Sequence, residues 1–121
     1  YDVRLECLFS KSTGVYKIWK GGKKMIKHIV CFKLKDNSDE NKKETKEILM
    51  SMKDKVPMVR DIQVGVDFLK SPRSYDIILQ VELDDRDTLD AYQEDPYHAG
   101  VVKKHMHEVM ESSIAIDYDL D

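Results

Sequence analysis

The sequence holds too few cysteines for a disulfide framework: Cys7 and Cys31 stand far apart and in no CxxC spacing, which also excludes a thiolate metal site. Cys31 is expected to be a small, reduced core residue. Long hydrophobic runs are missing too. Stretches such as Ile29 to Phe32 are far too short to span a bilayer, and no N-terminal apolar segment resembles a secretion signal. Nor is there a block of lysine and arginine to track a phosphate backbone, since 20 basic residues are set against 23 acidic ones for a formal net charge of −3. These absences argue against nucleic acid and membrane as partners and make a cytosolic (cytoplasmic) protein the expectation. The 121 residues make one domain, which on size scaling buries roughly two-thirds of its unfolded surface.

Charge is unevenly placed. Residues 1–24 hold Arg4, Lys11, Lys17, Lys20, Lys23 and Lys24 against only Asp2 and Glu6, while the remainder is acidic. The junction Lys20-Gly21-Gly22-Lys23-Lys24-Met25 is compatible with purine-rich codons of a ribosome-binding site ahead of a start codon. Met25 is therefore one expected beginning of the domain, with 1–24 a leader and 25–121 the functional unit. A genuine N-terminal arm stands beside that expectation, because Val3, Leu5, Cys7 and Phe9 alternate like a strand and Val15, Ile18 and Trp19 are suited to packing.

From residue 25 on, periodicity reads clearly. Ile26, His28, Val30, Phe32 and Leu34 alternate as a strand with one apolar face, and His28 lies on it. Ser38 or Asn37 caps a helix whose stripe is Thr45, Ile48, Leu49, Met52 and Val56, ended by Pro57. Ile62, Val64, Val66 and Phe68, then Tyr75, Ile77, Leu79, Val81 and Leu83, read as a hairpin. Asp84 or Asp85 caps a short helix with Leu89 and Tyr92. Asp95-Pro96 restarts the chain as cap and first helical residue, ahead of the stripe His98, Val101, Val102, His105 and Val109. Ile114, Ile116, Tyr118 and Leu120 alternate as a last strand. The order βαββαβ is an α+β fold, a four-stranded antiparallel sheet with its helices on one face.

The apolar positions, Ile114, Ile116 and Tyr118 among them, are expected to face the helices. The other face would then carry Ile29, Cys31, Ile78 and Ala115 among Lys27, Lys33, Asp76, Gln80 and Glu82. That mixture is too apolar to stay wet, so a second copy of the chain is the expected cover.

His98 is the candidate for chemistry. It falls in the first turn after Asp95-Pro96, on the inward stripe, where a helix N-terminus disfavours positive charge and keeps an imidazole neutral. Tyr92 and His28 are placed to reach the same space. Two histidines and a phenol in an apolar chamber suit proton abstraction beside a carbonyl, with a hydroxyl holding the oxyanion. The plainer alternative is that both histidines are ordinary half-buried ones and Tyr92 a core aromatic. No metal is expected: His105 and His107 point about 200° apart on a helix, and His98 and His105 lie two turns apart.

Three segments, Ile26 to Lys35, Leu89 to His98 and Ala115 to Tyr118, carry a resemblance to the stress-responsive dimeric α/β-barrel (A/B barrel) family over residues 25–121. The aromatic followed by Pro-x-His is the most distinctive feature. The resemblance implies a ferredoxin-like unit paired through its sheets into a dimeric α/β barrel. Most members have no assigned activity. The family includes the plant olivetolic acid cyclase, a cofactor-independent enzyme of aldol condensation. By that resemblance His98 matches the general base, Tyr92 its partner and His28 a pocket histidine, while Ile77 and Leu49 stand where the cyclase has a pocket histidine and tyrosine. The pocket is thereby made more apolar. The same architecture houses haem-degrading monooxygenases, but their pocket Trp has no counterpart outside Trp19. The resemblance therefore implies no cofactor and either of two functions: a cyclase or isomerase acting on a carbonyl compound, or a non-catalytic dimeric module that binds a small apolar ligand or gives stability under stress.

Overall fold

A computed structural model describes residues 24–120. The expected leader, apart from Lys24, lies outside the described residues, as do Cys7 and Trp19. Strand β1 (Ile26–Leu34) is followed by α1 (Asp39–Met50), a single turn α2 (Met52–Lys55), the hairpin strands β2 (Asp61–Val66) and β3 (Ile77–Leu83), and α3 (Arg86–Glu94). A π-helical turn (His98–Val102), α4 (Lys103–Val109) and β4 (Met110–Asp119) complete the unit. The sheet runs β2-β3-β1-β4, all neighbours antiparallel, which is the split order expected of βαββαβ.

Local chemistry sets the element ends. Ser38, not Asn37, is the first cap: its hydroxyl accepts from Asn41 N–H at 3.3 Å, and Asp39 and Glu40 follow in the first turn. The helix stops at Ser51, earlier than the apolar stripe suggests, because Ser51 Oγ turns back to the Ile48 carbonyl at 2.5 Å. Met52 and Val56 still reach the core, from α2 and the residue after it. Asp85, not Asp84, caps α3, accepting from Thr88 N–H at 2.8 Å. The hairpin strand ends at Val66, so Phe68 is no member of its apolar face and stands 91% exposed in the loop.

The core lies between sheet and helices. Ile26, Phe32, Leu34, Ile62, Ile77, Leu79, Val81 and Leu83 come from the sheet, and Leu49, Met52, Tyr92, Val102 and Met106 from the layer above. Strand register corrects the expected face of β4. His28 lies opposite Asp117 and Val30 opposite Ala115, whereas Ile29, Cys31 and Lys27 lie opposite Ile116, Ile114 and Tyr118. Partners across a ladder project to the same side, so a slip of one residue exchanges the faces of the whole strand. Ala115 and Asp117 therefore point toward the helices, and Ile114, Ile116 and Tyr118 point outward. Cys31 is likewise a half-buried free thiol on the outer face rather than a core residue.

Candidate functional site

The second helical region is broken where the sequence places Asp95 and Pro96. Asp95 Oδ2 accepts from the backbone N–H of Tyr97 at 3.0 Å and of His98 at 3.1 Å, and the Asp95 carbonyl accepts from Ala99 at 2.8 Å. Pro96 fits the first helical position because its missing N–H is not needed there. The chain then widens: Lys103 N–H reaches the His98 carbonyl, an i→i+5 bond that closes a π turn. The extra residue in that turn rotates the stripe. Val102 and Met106 are buried and Val101 is turned out to solvent, where a plain 3.6-residue period places Val101 inside. Tyr97 ties this region to the break after α1 through a 2.6 Å hydroxyl contact with Ser51.

His98, 7% exposed, stacks on Tyr92 with ring centroids 4.3 Å apart and planes tilted by 36°. His28, also buried, meets the same Tyr92 ring edge-on at 5.6 Å. The three residues that the sequence singles out are thus neighbours. Leu49 and Ile77 are buried with Tyr92 in the core.

The electrostatics of His98 are those of an imidazole kept neutral. Burial is the main cause holding it below its ordinary value; the charge of Lys103 adds to this, whereas a hydrogen bond to the Gln93 backbone and the Asp95 carboxylate pull the other way. The cap at Asp95 orients the helix start more than it neutralises the ring. His98 Nδ1 is buried with no hydrogen-bond partner among the described residues. A buried ring nitrogen without a partner is uncommon in a protein interior. Tyr92 is fully buried, and burial followed by Asp95 pushes its phenol up, so the hydroxyl stays a donor. That hydroxyl lies 3.6 Å from Met52 Sδ, a weak acceptor.

Asp117 is a neighbour that periodicity did not single out: its carboxylate is bonded to His28 Nδ1. The signal in the sequence was an acidic residue in the last strand, but only the β1–β4 register turns it toward His28. His105 instead bonds Thr45 Oγ1 at 3.0 Å. Among the described residues no group of three His, Cys, Asp or Glu is placed to hold a metal ion, and no helix is long and apolar enough to cross a membrane.

The fold is shared with solved structures. A dimeric ferredoxin-like protein of unknown function from Bacteroides fragilis is similar at 32% identity, TM-score 0.67, over 79% of this chain and 96% of its own. A dimeric ferredoxin-like protein of unknown function from Thermobifida fusca is similar at 21% identity, TM-score 0.71, over 81% and 92%. A hydroxynitrile lyase from Passiflora edulis has the same fold at 14% identity, TM-score 0.68, over 82% and 95%. No curated protein sequence matches the chain. The stress responsive A/B barrel domain matches residues 26–120, nearly the whole described chain, and with the βαββαβ order already in place the chain belongs to that family.

Proposed function

We propose that the protein is a small enzyme that moves a proton next to a carbonyl, a cyclase or isomerase of an apolar carbonyl compound, with His98 as general base and Tyr92 as oxyanion donor. The observation that carries this reading is His98 Nδ1, a buried ring nitrogen without a hydrogen-bond partner among the described residues, on an imidazole stacked against a phenol that remains protonated. A base of this kind needs the neutral form and a dry setting, and burial supplies both. The Tyr92 hydroxyl gives up little on leaving the Met52 thioether for a developing oxyanion, which is a far better acceptor. His28, Leu49 and Ile77 would line the substrate side, and their make-up favours an apolar ligand. No cofactor enters the proposal.

The working form is proposed as a homodimer through the outer sheet face, as the similar Bacteroides fragilis and Thermobifida fusca proteins are described as dimeric. Ile114, Ile116 and Tyr118 are exposed there, beside Ile29, Cys31 and Ile78. Three large apolar side chains on one edge strand are worth about 1.5–3 kcal/mol each when fully covered. A second function, a non-catalytic module that binds an apolar ligand or adds stability, is favoured by the complete burial of Tyr92 and by the contact of its hydroxyl with the Met52 thioether.

One assay separates the two. Enolisable apolar ketones and β-keto thioesters are incubated with the protein in D₂O, and deuterium entering the carbon beside the carbonyl is followed by NMR. Catalysed exchange is expected, lowered on the order of 10²-fold or more in His98→Ala and strongly in Tyr92→Phe, and unchanged by EDTA. Binding of these compounds without any catalysed exchange decides for the module.

A further inference from the structure

We infer that Asp117 is the positioning residue of His28, and that the two form a second proton-handling pair beside Tyr92, with Nε2 of His28 as the exchanging atom.

The register of the sheet creates this pair. His28 and Asp117 are opposite partners in the β1–β4 ladder, both on the side facing the helices. Next along that side, Asp119 is committed to Arg86, with Nε to Oδ1 at 3.0 Å. Asp117 is thereby the β4 carboxylate that meets the imidazole, and it bonds Nδ1. Burial is unequal across the contact: the His28 side chain is 8% exposed and that of Asp117 39%. The carboxylate thus keeps its contact with solvent while the ring it holds is inside.

A carboxylate only accepts, so the proton of a neutral His28 must sit on Nδ1, and the lone pair must sit on Nε2. The edge-on Tyr92 ring packs against the same imidazole and helps to fix its plane. His98 is held differently: its Nδ1 has no partner, and no carboxylate is bonded to its ring, among the described residues. The two imidazoles flanking Tyr92 therefore have unlike partners. When His28 takes a proton, Asp117 balances the charge it acquires, the arrangement by which a carboxylate orients and supports a histidine base. A proton leaving a substrate carbon for Nε2 breaks the C–H bond, forms an N–H bond and leaves its electron pair in the enolate. Return of that proton to the enolate oxygen or to another carbon completes an isomerisation with no oxidant or reductant. This step rests on the carbonyl chemistry proposed above, whereas the tautomer does not.

The test uses the full-length, ¹⁵N-labelled chain and long-range ¹H–¹⁵N spectra of its histidine rings through a pH series, with His28 assigned by His28→Gln. In the wild type the neutral His28 ring is expected to be protonated at Nδ1. In Asp117→Ala it is expected to move to the Nε2-protonated form that a free imidazole prefers. An Nε2-protonated His28 in the wild type, or a spectrum unmoved by Asp117→Ala, overturns the positioning role, and the wild-type spectrum decides alone should the variant not fold. In the deuterium assay Asp117→Ala is expected to lower kcat by at least about tenfold with KM little changed, and an unaltered kcat overturns the proton-handling role. If the wild type catalyses no exchange, the carbonyl reading falls and takes the proton-handling role with it, while the tautomer result stands.

Discussion

Strands β3 and β4 flank β1 on its two sides, yet they have opposite surroundings. β3 (Ile77–Leu83) buries every second residue completely or nearly so, between β1, β2 and the helices. β4 (Met110–Asp119) is an edge strand on which every residue from Ser113 to Tyr118 is exposed, on both faces, and Ile116 reaches 64% exposure. Sequence alternation is similar in the two. The difference teaches that alternation tells a strand from a helix, whereas neighbours decide which alternate set is inside. On β3 the apolar set faces the core. On β4 it faces away, and the small and acidic set, Ala115 and Asp117, is turned toward the helices beside the candidate site. An apolar edge strand that is left open invites another chain, so β4 is where a second copy is expected to gain most.

The largest effect that sharpens this contrast is a truncation in β3. Leu79→Ala empties space in a closed core and is expected to cost about 2–5 kcal/mol in urea unfolding. Ile116→Ala measured in the same way on monomeric protein should cost far less, and equal losses would remove the distinction between the strands. Next comes association. Ile116→Asp, and likewise Ile78→Asp on the same outer face, places a charge in the proposed interface and should weaken the dimer by about 3 kcal/mol or more. Sedimentation that stays dimeric for both variants would mean that the outer face is not the interface.

A smaller effect is expected at the start of α1, away from both strands. Ser38→Ala removes the hydroxyl that caps Asn41 N–H and should cost about 1 kcal/mol, read from the urea midpoint. The last effect is a slope rather than a step. An imidazole held below its ordinary value binds fewer protons folded than unfolded, so His98 lowers stability as pH drops below that ordinary value of 6.5, until the folded ring itself takes a proton. Melting temperature should therefore fall less steeply from pH 7 to pH 5 in His98→Gln than in the wild type. Identical slopes would show that His98 does not titrate in this way.

Much of the site was legible because it depends on local chemistry. Asp95-Pro96 is a helix start whatever surrounds it, and it fixes His98 in a first turn; the period of two in β1 puts His28 on the apolar face. The π turn was not legible. The stripe from His98 to Val109 suits an ordinary period, and only the packing of Val102 and Met106 in the core, with Val101 outside, shows where the extra residue goes. The early stop of α1 escaped detection as well, since Thr45, Leu49, Met52 and Val56 all reach the core although the helix breaks between them at Ser51. Asp117 was hidden for another reason. Its partner is 89 positions away, and which face it takes depends on a pairing register that neither strand determines alone.

The sequence by itself determined the βαββαβ order, the broken second helical region and the presence of Tyr92 and two histidines in reach of one core. Each of these follows from periodicity, caps and turn residues acting over a few neighbouring positions. Tertiary structure decided which face of β4 is apolar, that Asp117 holds His28, that the Tyr92 hydroxyl rests on Met52, and that His98 Nδ1 meets no partner among the described residues. Those outcomes depend on contacts between segments far apart in the chain. A one-residue slip in register or one extra residue in a helical turn reverses what faces what, at little change in local energy.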